Sequence, residues 1–202
     1  MTQEAMKLAL EALKWSKPHE DAVISHSEAI TAIEEALAQP VQEPVAFVKE
    51  NPCKILPGIK VVNNYKFFDN RGYFVELWNS EIPMRGSYRQ LNCAFSTFGV
   101  LRGMHYQDQT KFVMPIVGKI FDVVLDPNTG NWFGIELDAS KSLLIPPQYA
   151  HGYLVLSAEA IVQYVVDAPY DQSKEKLYRW DQYNIEWPTF ITPVLSQKDA
   201  QV

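Results

Sequence analysis

Phe112-Val113-Met114-Pro115-Ile116-Val117 and Ile120-Phe121-Asp122-Val123-Val124-Leu125 are two short apolar segments, separated only by Gly118 and Lys119. Working outward in both directions, similar segments follow at residues 58–62, 73–78, 143–145 and 153–156, set between Gly, Pro, Asn and Asp. Short strands at regular spacing predict a mainly β chain, a barrel or a sandwich. No long helical period interrupts them, which excludes a βαβ nucleotide fold; neither GxGxxG nor GxxxxGK[ST] occurs, and there is no internal repeat.

The 202 residues are 47% apolar and 21% charged and include 5 Trp, 10 Tyr and 10 Phe, enough for one sizeable core and incompatible with disorder throughout. All nine glycines lie between Gly58 and Gly152, and Trp15 is the sole aromatic before residue 47. The break implies two modules, residues 1–44 and 45–202. In the first, Met6, Leu10 and Leu13 share one helical face and Ile30, Ile33 and Leu37 another, with Pro18 between the stretches and Ser25-x-x-Glu28 resembling a capping box. This reads as a short α-helical hairpin, a docking element for an unknown partner. Gln39-Pro40-Val41-Gln42-Glu43-Pro44 reads as an extended linker, because each proline fixes φ and biases its predecessor away from helix.

The net charge of −6 is carried mostly by the first module: residues 1–46 contribute −5 and the rest −1. A local cationic pocket for a phosphate ester is therefore compatible with the larger part, whereas no basic run points to nucleic acid. No apolar run approaches the roughly 18 residues of a membrane helix, and Glu11 and Lys14 interrupt the N-terminal stretch where a signal peptide needs apolar text. A soluble, cytoplasmic protein is expected. Cys53 and Cys93 form no CxxC and are expected to be free thiols.

Four clusters carry the candidate chemistry: Asp69-Asn70-Arg71-Gly72-Tyr73-Phe74-Val75-Glu76, Leu101-Arg102-Gly103-Met104-His105-Tyr106-Gln107, Pro146-Pro147-Gln148-Tyr149-Ala150-His151-Gly152-Tyr153 and Leu195-Ser196-Gln197-Lys198-Asp199. With Ile185-Glu186-Trp187-Pro188, they resemble in order and spacing the dTDP-4-dehydrorhamnose 3,5-epimerase family of sugar-nucleotide epimerases, from about residue 59 to residue 200. The N-terminal hairpin has no counterpart there. The resemblance implies a cupin-like β jelly roll, a homodimer, and an isomerase that needs no cofactor or metal. Its substrate would be a nucleotide-diphosphate 4-keto-6-deoxy sugar, inverted at C3, C5 or both through an enolate, as in dTDP-4-dehydro-6-deoxyglucose to dTDP-4-dehydrorhamnose.

Residue by residue, the resemblance makes His105 the general base and Asp199 the carboxylate that orients it. A neutral imidazole held through one nitrogen can take a proton through the other. Tyr164 matches the opposing acid, needed because inversion removes a proton from one face of a carbon and returns one to the other; an ordinary pKa of about 10 keeps it protonated. Lys111 matches a lysine able to stabilise the enolate. Arg71 and Arg102 match diphosphate-binding positions, suited to two-point contact, and Lys198 adds to that field. Tyr170 matches an aromatic that stacks on the base, Glu76, Gln90, Asn92 and Glu175 match nucleotide contacts, and His151 matches a second histidine of the site.

Each residue has an ordinary structural alternative: a satisfied strand histidine, a solvated lysine or tail aspartate, a core tyrosine, a structural Arg–Glu76 pair. The chain also departs from the family after Asp126, where Pro127-Asn128-Thr129-Gly130-Asn131-Trp132 replaces a longer, Arg-containing loop, and at Gln148, where glycine is common. Two other functions compete with epimerisation. A non-catalytic sugar-binding or assembly cupin would have no use for an opposed acid and base. A metal-dependent cupin would need a second histidine beside His105 and a carboxylate where Lys111 stands.

Overall fold

A computed structural model describes residues 9–14, 25–38, 55–188 and 191–201; the linker at 39–44, Pro18 and Cys53 fall outside them. The chain divides into two compact units, Met1–Glu43 with Phe67–Phe74, and Pro44–Lys66 with Val75–Val202.

In the smaller unit, residues 9–14 are helical and α1 spans His26–Ala38. The capping box forms: the Glu28 N–H donates to Ser25 Oγ and the Ser25 N–H to Glu28 Oε2, satisfying two amides that a helix start leaves open. Lys14 Nζ lies 2.9 Å from Glu34 Oε1. Strands β2 (Lys66–Asp69) and β3 (Gly72–Val75) make a two-stranded hairpin that carries exposed Phe67, Phe68, Tyr73 and Phe74.

The larger unit is mainly β. Strands β1 (Lys60–Asn63), β9 (Lys141–Ile145), β6 (Lys111–Val117), β11 (Glu159–Val166) and β4 (Gln90–Thr97) form one five-stranded sheet in that order. The second sheet runs β12 (Lys176–Leu177), β5 (Leu101–Tyr106), β10 (Ala150–Val155), β7 (Lys119–Leu125) and β8 (Trp132–Asp138). The pairings within both sheets are antiparallel. A one-turn helix, α2 (Gln197–Ala200), follows near the end.

Three apolar clusters explain why so many strands are apolar without alternation. Between the sheets, Val113 of β6, Leu143 and Ile145 of β9, Ile120 and Val124 of β7 and Val155 of β10 share one cluster. Phe112, Met114 and Leu144 point the other way, under a covering layer that includes Leu77, Trp78, Ile82 and Met84. Val123, Leu125 and Leu154 likewise lie under Trp187 and Ile191. Central strands are thus buried on both faces and lose the polar-out half of their pattern. The expected segment at 73–78 ends as strand at Val75, because Leu77 and Trp78 serve in the covering layer.

The β6–β7 turn depends on Gly118, whose φ is +79° and whose missing Cβ would lie 2.0 Å from the Glu159 carbonyl oxygen. Gly118→Ala should destabilise the protein by about 3 kcal/mol through left-handed strain and overlap with backbone. That loss corresponds to a Tm lower by roughly 6–12 °C for a chain of this length, read by calorimetry; an unchanged Tm would show that the turn can relax.

Candidate active site

A cavity of about 590 Å³ opens between the sheets of the larger unit. Arg102 and His105 reach it from β5, Lys111 from β6, His151 and Tyr153 from β10, Tyr164 from β11, and Tyr170, Glu175, Lys198 and Asp199 from the segments beyond. His105 and Tyr164 stand on strands of different sheets, and both line the cavity.

His105 Nε2 lies 2.7 Å from Asp199 Oδ1. Ser196 caps α2 by accepting the Asp199 N–H, which fixes the turn that holds this carboxylate, and Asp199 itself is buried. On the other side of the ring, Nδ1 lies 3.2 Å from Glu175 Oε1. A neutral imidazole has one N–H and satisfies one carboxylate; the imidazolium satisfies both. Glu175 Oε2 accepts from the Tyr170 hydroxyl at 2.8 Å and pairs with Lys198. Burial alone would raise the Glu175 pKa, but the bonds from Lys198 and Tyr170 and the charges of Lys198 and His105 outweigh it and hold the group below its usual range.

Lys111, at the start of β6, is only 7% exposed. Its Nζ is 3.4 Å from the carbonyl oxygens of both Gln107 and Gln109. Burial lowers its pKa from the ordinary lysine value to about 8, the Asp167 charge partly opposing and the Arg85 charge assisting. Asp167 in turn accepts the backbone N–H groups of Arg85 and Thr110, which ties the loop before Lys111 to the end of β11. Burial raises the Tyr164 pKa, with Arg102 opposing, so the phenol keeps its proton.

Arg102 donates through Nε to Ser96 Oγ and through one terminal nitrogen to the Phe95 carbonyl, both on β4. His151 Nε2 sits 2.9 Å and 3.0 Å from the two oxygens of fully buried Asp122. Other expected site residues stand elsewhere. Gln90 donates to Asn92 on β4, and Asn92 is in register with Tyr164, yet neither lines the cavity. Glu76 accepts from Asn79 beside a small recess with Trp78 and Ile82. Arg71, on the β2–β3 hairpin of the smaller unit, pairs with Asp69. Among the described residues no three His, Cys, Asp or Glu side chains are grouped to hold a metal ion.

Sequence reasoning gave no role to Asp122, Gln107, Gln109 or Tyr153. For Asp122 a signal existed, a lone charge inside an apolar strand, which is tolerated only when paired.

Residues 54–202 match the family described as dTDP-4-dehydrorhamnose 3,5-epimerase. The chain belongs to that family. An epimerase of this name from Shigella flexneri is 37% identical over 162 residues, 71% of this chain and 89% of that protein. Among solved structures, a dTDP-6-deoxy-D-glucose-3,5-epimerase from Legionella pneumophila, in complex with dTDP-4-keto-L-rhamnose, is 33% identical with a TM-score of 0.65, covering 71% of this chain and 86% of that one. A dTDP-4-dehydrorhamnose 3,5-epimerase from Bacillus anthracis, with TDP and PPi bound, is 32% identical with a TM-score of 0.67, covering 75% and 95%. All the cavity-lining residues named above fall within the matched part of this epimerase-family chain, and residues 1–53 precede it.

Holding a buried ammonium costs folding free energy. With the folded pKa near 8 and the unfolded value near 10.5, that cost is full below pH 8 and fades between pH 8 and 10.5. Lys111→Met should therefore raise stability by about 3 kcal/mol at pH 7, and the gain should shrink at pH 9.5. Denaturant unfolding at the two pH values measures it; a destabilised variant at pH 7 would mean the ammonium is well solvated where it lies.

Proposed function

We propose that this chain epimerises a nucleotide-linked 4-keto-6-deoxy sugar, dTDP-4-dehydro-6-deoxyglucose, at C3, C5 or both to give dTDP-4-dehydrorhamnose. The observation that carries this reading is that His105 and Tyr164, from strands of different sheets, line one cavity, with the buried ammonium of Lys111 lining the same space. The C4 ketone acidifies both neighbouring carbons. His105, steadied by Asp199, takes the proton through its other nitrogen, the one now facing Glu175, so that carboxylate must yield as the sugar enters. The Lys111 ammonium offsets the charge that develops on the enolate oxygen, and Tyr164 delivers a proton from the opposite wall. Arg102 and Lys198 supply cationic charge for the diphosphate, and Tyr170, Glu175 and His151 line the rest of the site.

The same reading includes the cupin jelly roll, a cytoplasmic location and a homodimer. The dimer is supported by β4, an edge strand with Leu91 and Phe95 exposed on one side. It assigns Arg71, Glu76, Gln90 and Asn92 to nucleotide contacts made in the assembled, substrate-bound enzyme. The reading leaves residues 1–44 outside the reaction.

Proton exchange tests the chemistry. In deuterated water, NMR of dTDP-4-dehydro-6-deoxyglucose should show loss of the C3 or C5 proton signal. His105→Asn should slow this by about 10²-fold or more. Tyr164→Phe should leave exchange with retained configuration faster than net inversion, because abstraction survives and return does not. Near-normal exchange in folded His105→Asn would remove it as the base, and equal loss of exchange and inversion in Tyr164→Phe would remove the tyrosine as the opposing acid.

A protein beginning at Val45 should fold and retain turnover, any change being confined to solubility, assembly or partner binding. A folded but inactive truncation would place part of the N-terminal module in the site.

A further inference from the structure

We propose that the Tyr153 hydroxyl is a further specificity-determining group of this site, one that hydrogen-bonds an oxygen of the bound hexose. The inference rests on the epimerase reading above and deepens it. Among the described residues, the buried side-chain polar atoms without a hydrogen-bond partner are Trp78 Nε1 and Tyr153 Oη. Trp78 borders a recess of about 10 Å³, too small for a ligand. Tyr153 lines the 590 Å³ cavity, although the residue is only 4% exposed.

A buried hydroxyl left unpaired is expensive, and native interiors keep few of them. Ser96 and Asp122, two of the groups that act on this phenol, have other partners. Ser96 accepts from Arg102, and both oxygens of Asp122 face His151. Ser96 lies near enough to favour the ionised phenol, but no bond of ordinary geometry joins the two. The cavity is the direction in which a partner can arrive.

The character of that partner follows from the neighbours. Tyr153 and His151 stand two residues apart on β10, on one face of the strand, and Tyr164 reaches the same cavity from the other sheet. Tyr153 therefore belongs with the groups at the reacting sugar. Burial, the largest influence, raises its pKa further, so the phenol stays neutral and offers one O–H donor and acceptor lone pairs. Such a group matches a hydroxyl or keto oxygen. A diphosphate is matched instead by the cationic side chains of Arg102 and Lys198. A site built to hydrogen-bond a sugar oxygen discriminates against a sugar that lacks it, because the buried hydroxyl is then left unpaired.

Tyr153→Phe keeps the ring and removes only the oxygen. Three measurements on the full chain decide the role: calorimetric affinity for dTDP, the same for dTDP-glucose, which carries the hexose but no ketone to react, and kcat/KM on the keto sugar. Affinity for dTDP should be unchanged, while affinity for dTDP-glucose and kcat/KM should each fall about 10-fold, the scale of one lost hydrogen bond to a buried oxygen. The unliganded variant should melt at the wild-type temperature or above it, since an unsatisfied group has been removed. The proposal is overturned if both affinities and kcat/KM stay at wild-type values, if dTDP and dTDP-glucose weaken equally, or if the variant melts several degrees lower or fails to fold, which would reveal a structural partner. Wild-type protein that binds dTDP-glucose more tightly than dTDP but exchanges no proton would defeat the epimerase reading alone, and the affinity comparison would still decide Tyr153. Wild-type protein that exchanges the proton but gains no affinity from the hexose would defeat the Tyr153 proposal alone.

Discussion

The 2.7 Å contact between His105 and Asp199 joins the fifth strand to a single helical turn 94 residues later. Nothing local can make it. It requires both sheets to be in place, the segment after Trp187 to cross the outer face of the second sheet, and the backbone bridge of Val100 with Val194 to bring the chain back to the cavity. Asp199 is then buried against an imidazole that is about one-third exposed, so the carboxylate is held away from water while the ring still faces the cavity. Orientation of this imidazole is therefore a property of the completed fold.

The same division of labour governs the interior. Toward the cluster of Leu143, Ile145 and Val155 the space between the sheets is filled by hydrocarbon. Toward the cavity it holds polar groups, and most are matched: His151 with Asp122, Arg102 with Ser96, and Asp167 with Arg85 and Thr110. Lys111 and Tyr153 are the incompletely matched members. An ammonium near two carbonyl oxygens at 3.4 Å and a hydroxyl with no partner weaken the empty protein, and their hydrogen-bonding capacity stays available to a ligand.

Much of this was legible in the residues and some was not. The apolar runs at 112–117, 120–125 and 143–145 are strands because each is covered on both faces, and length together with flanking Gly and Pro separates them from helix. β4 was harder to read: Leu91, Cys93 and Phe95 point outward while Gln90, Asn92 and Ser96 are more buried, which inverts the usual pattern for a half-buried strand. The resemblance named His105, Asp199, Lys111 and Tyr164, and all four line one cavity. What the residues did not convey was the surroundings of Glu175 and Tyr153. Glu175 is a plausible ligand contact in sequence, yet in space it sits on the imidazole; Tyr153 looks like one more aromatic in a strand until its hydroxyl is found without a partner.

The segment that bears Asp199 is joined to the rest by its own cap, the contact to His105 and the Lys198–Glu175 ion pair. Ile191 and Val194, just before it, hold their places in the covering layer and the backbone bridge independently. Proteolytic trimming back to residue 195 would thus leave a protein with ordinary circular dichroism and a cooperative melt, but with an imidazole that has lost Asp199 and keeps only Glu175. In a preparation of such molecules, the folded fraction and the competent fraction would be different numbers. Intact mass, rather than any spectroscopic measure of foldedness, would be the one that tracks specific activity.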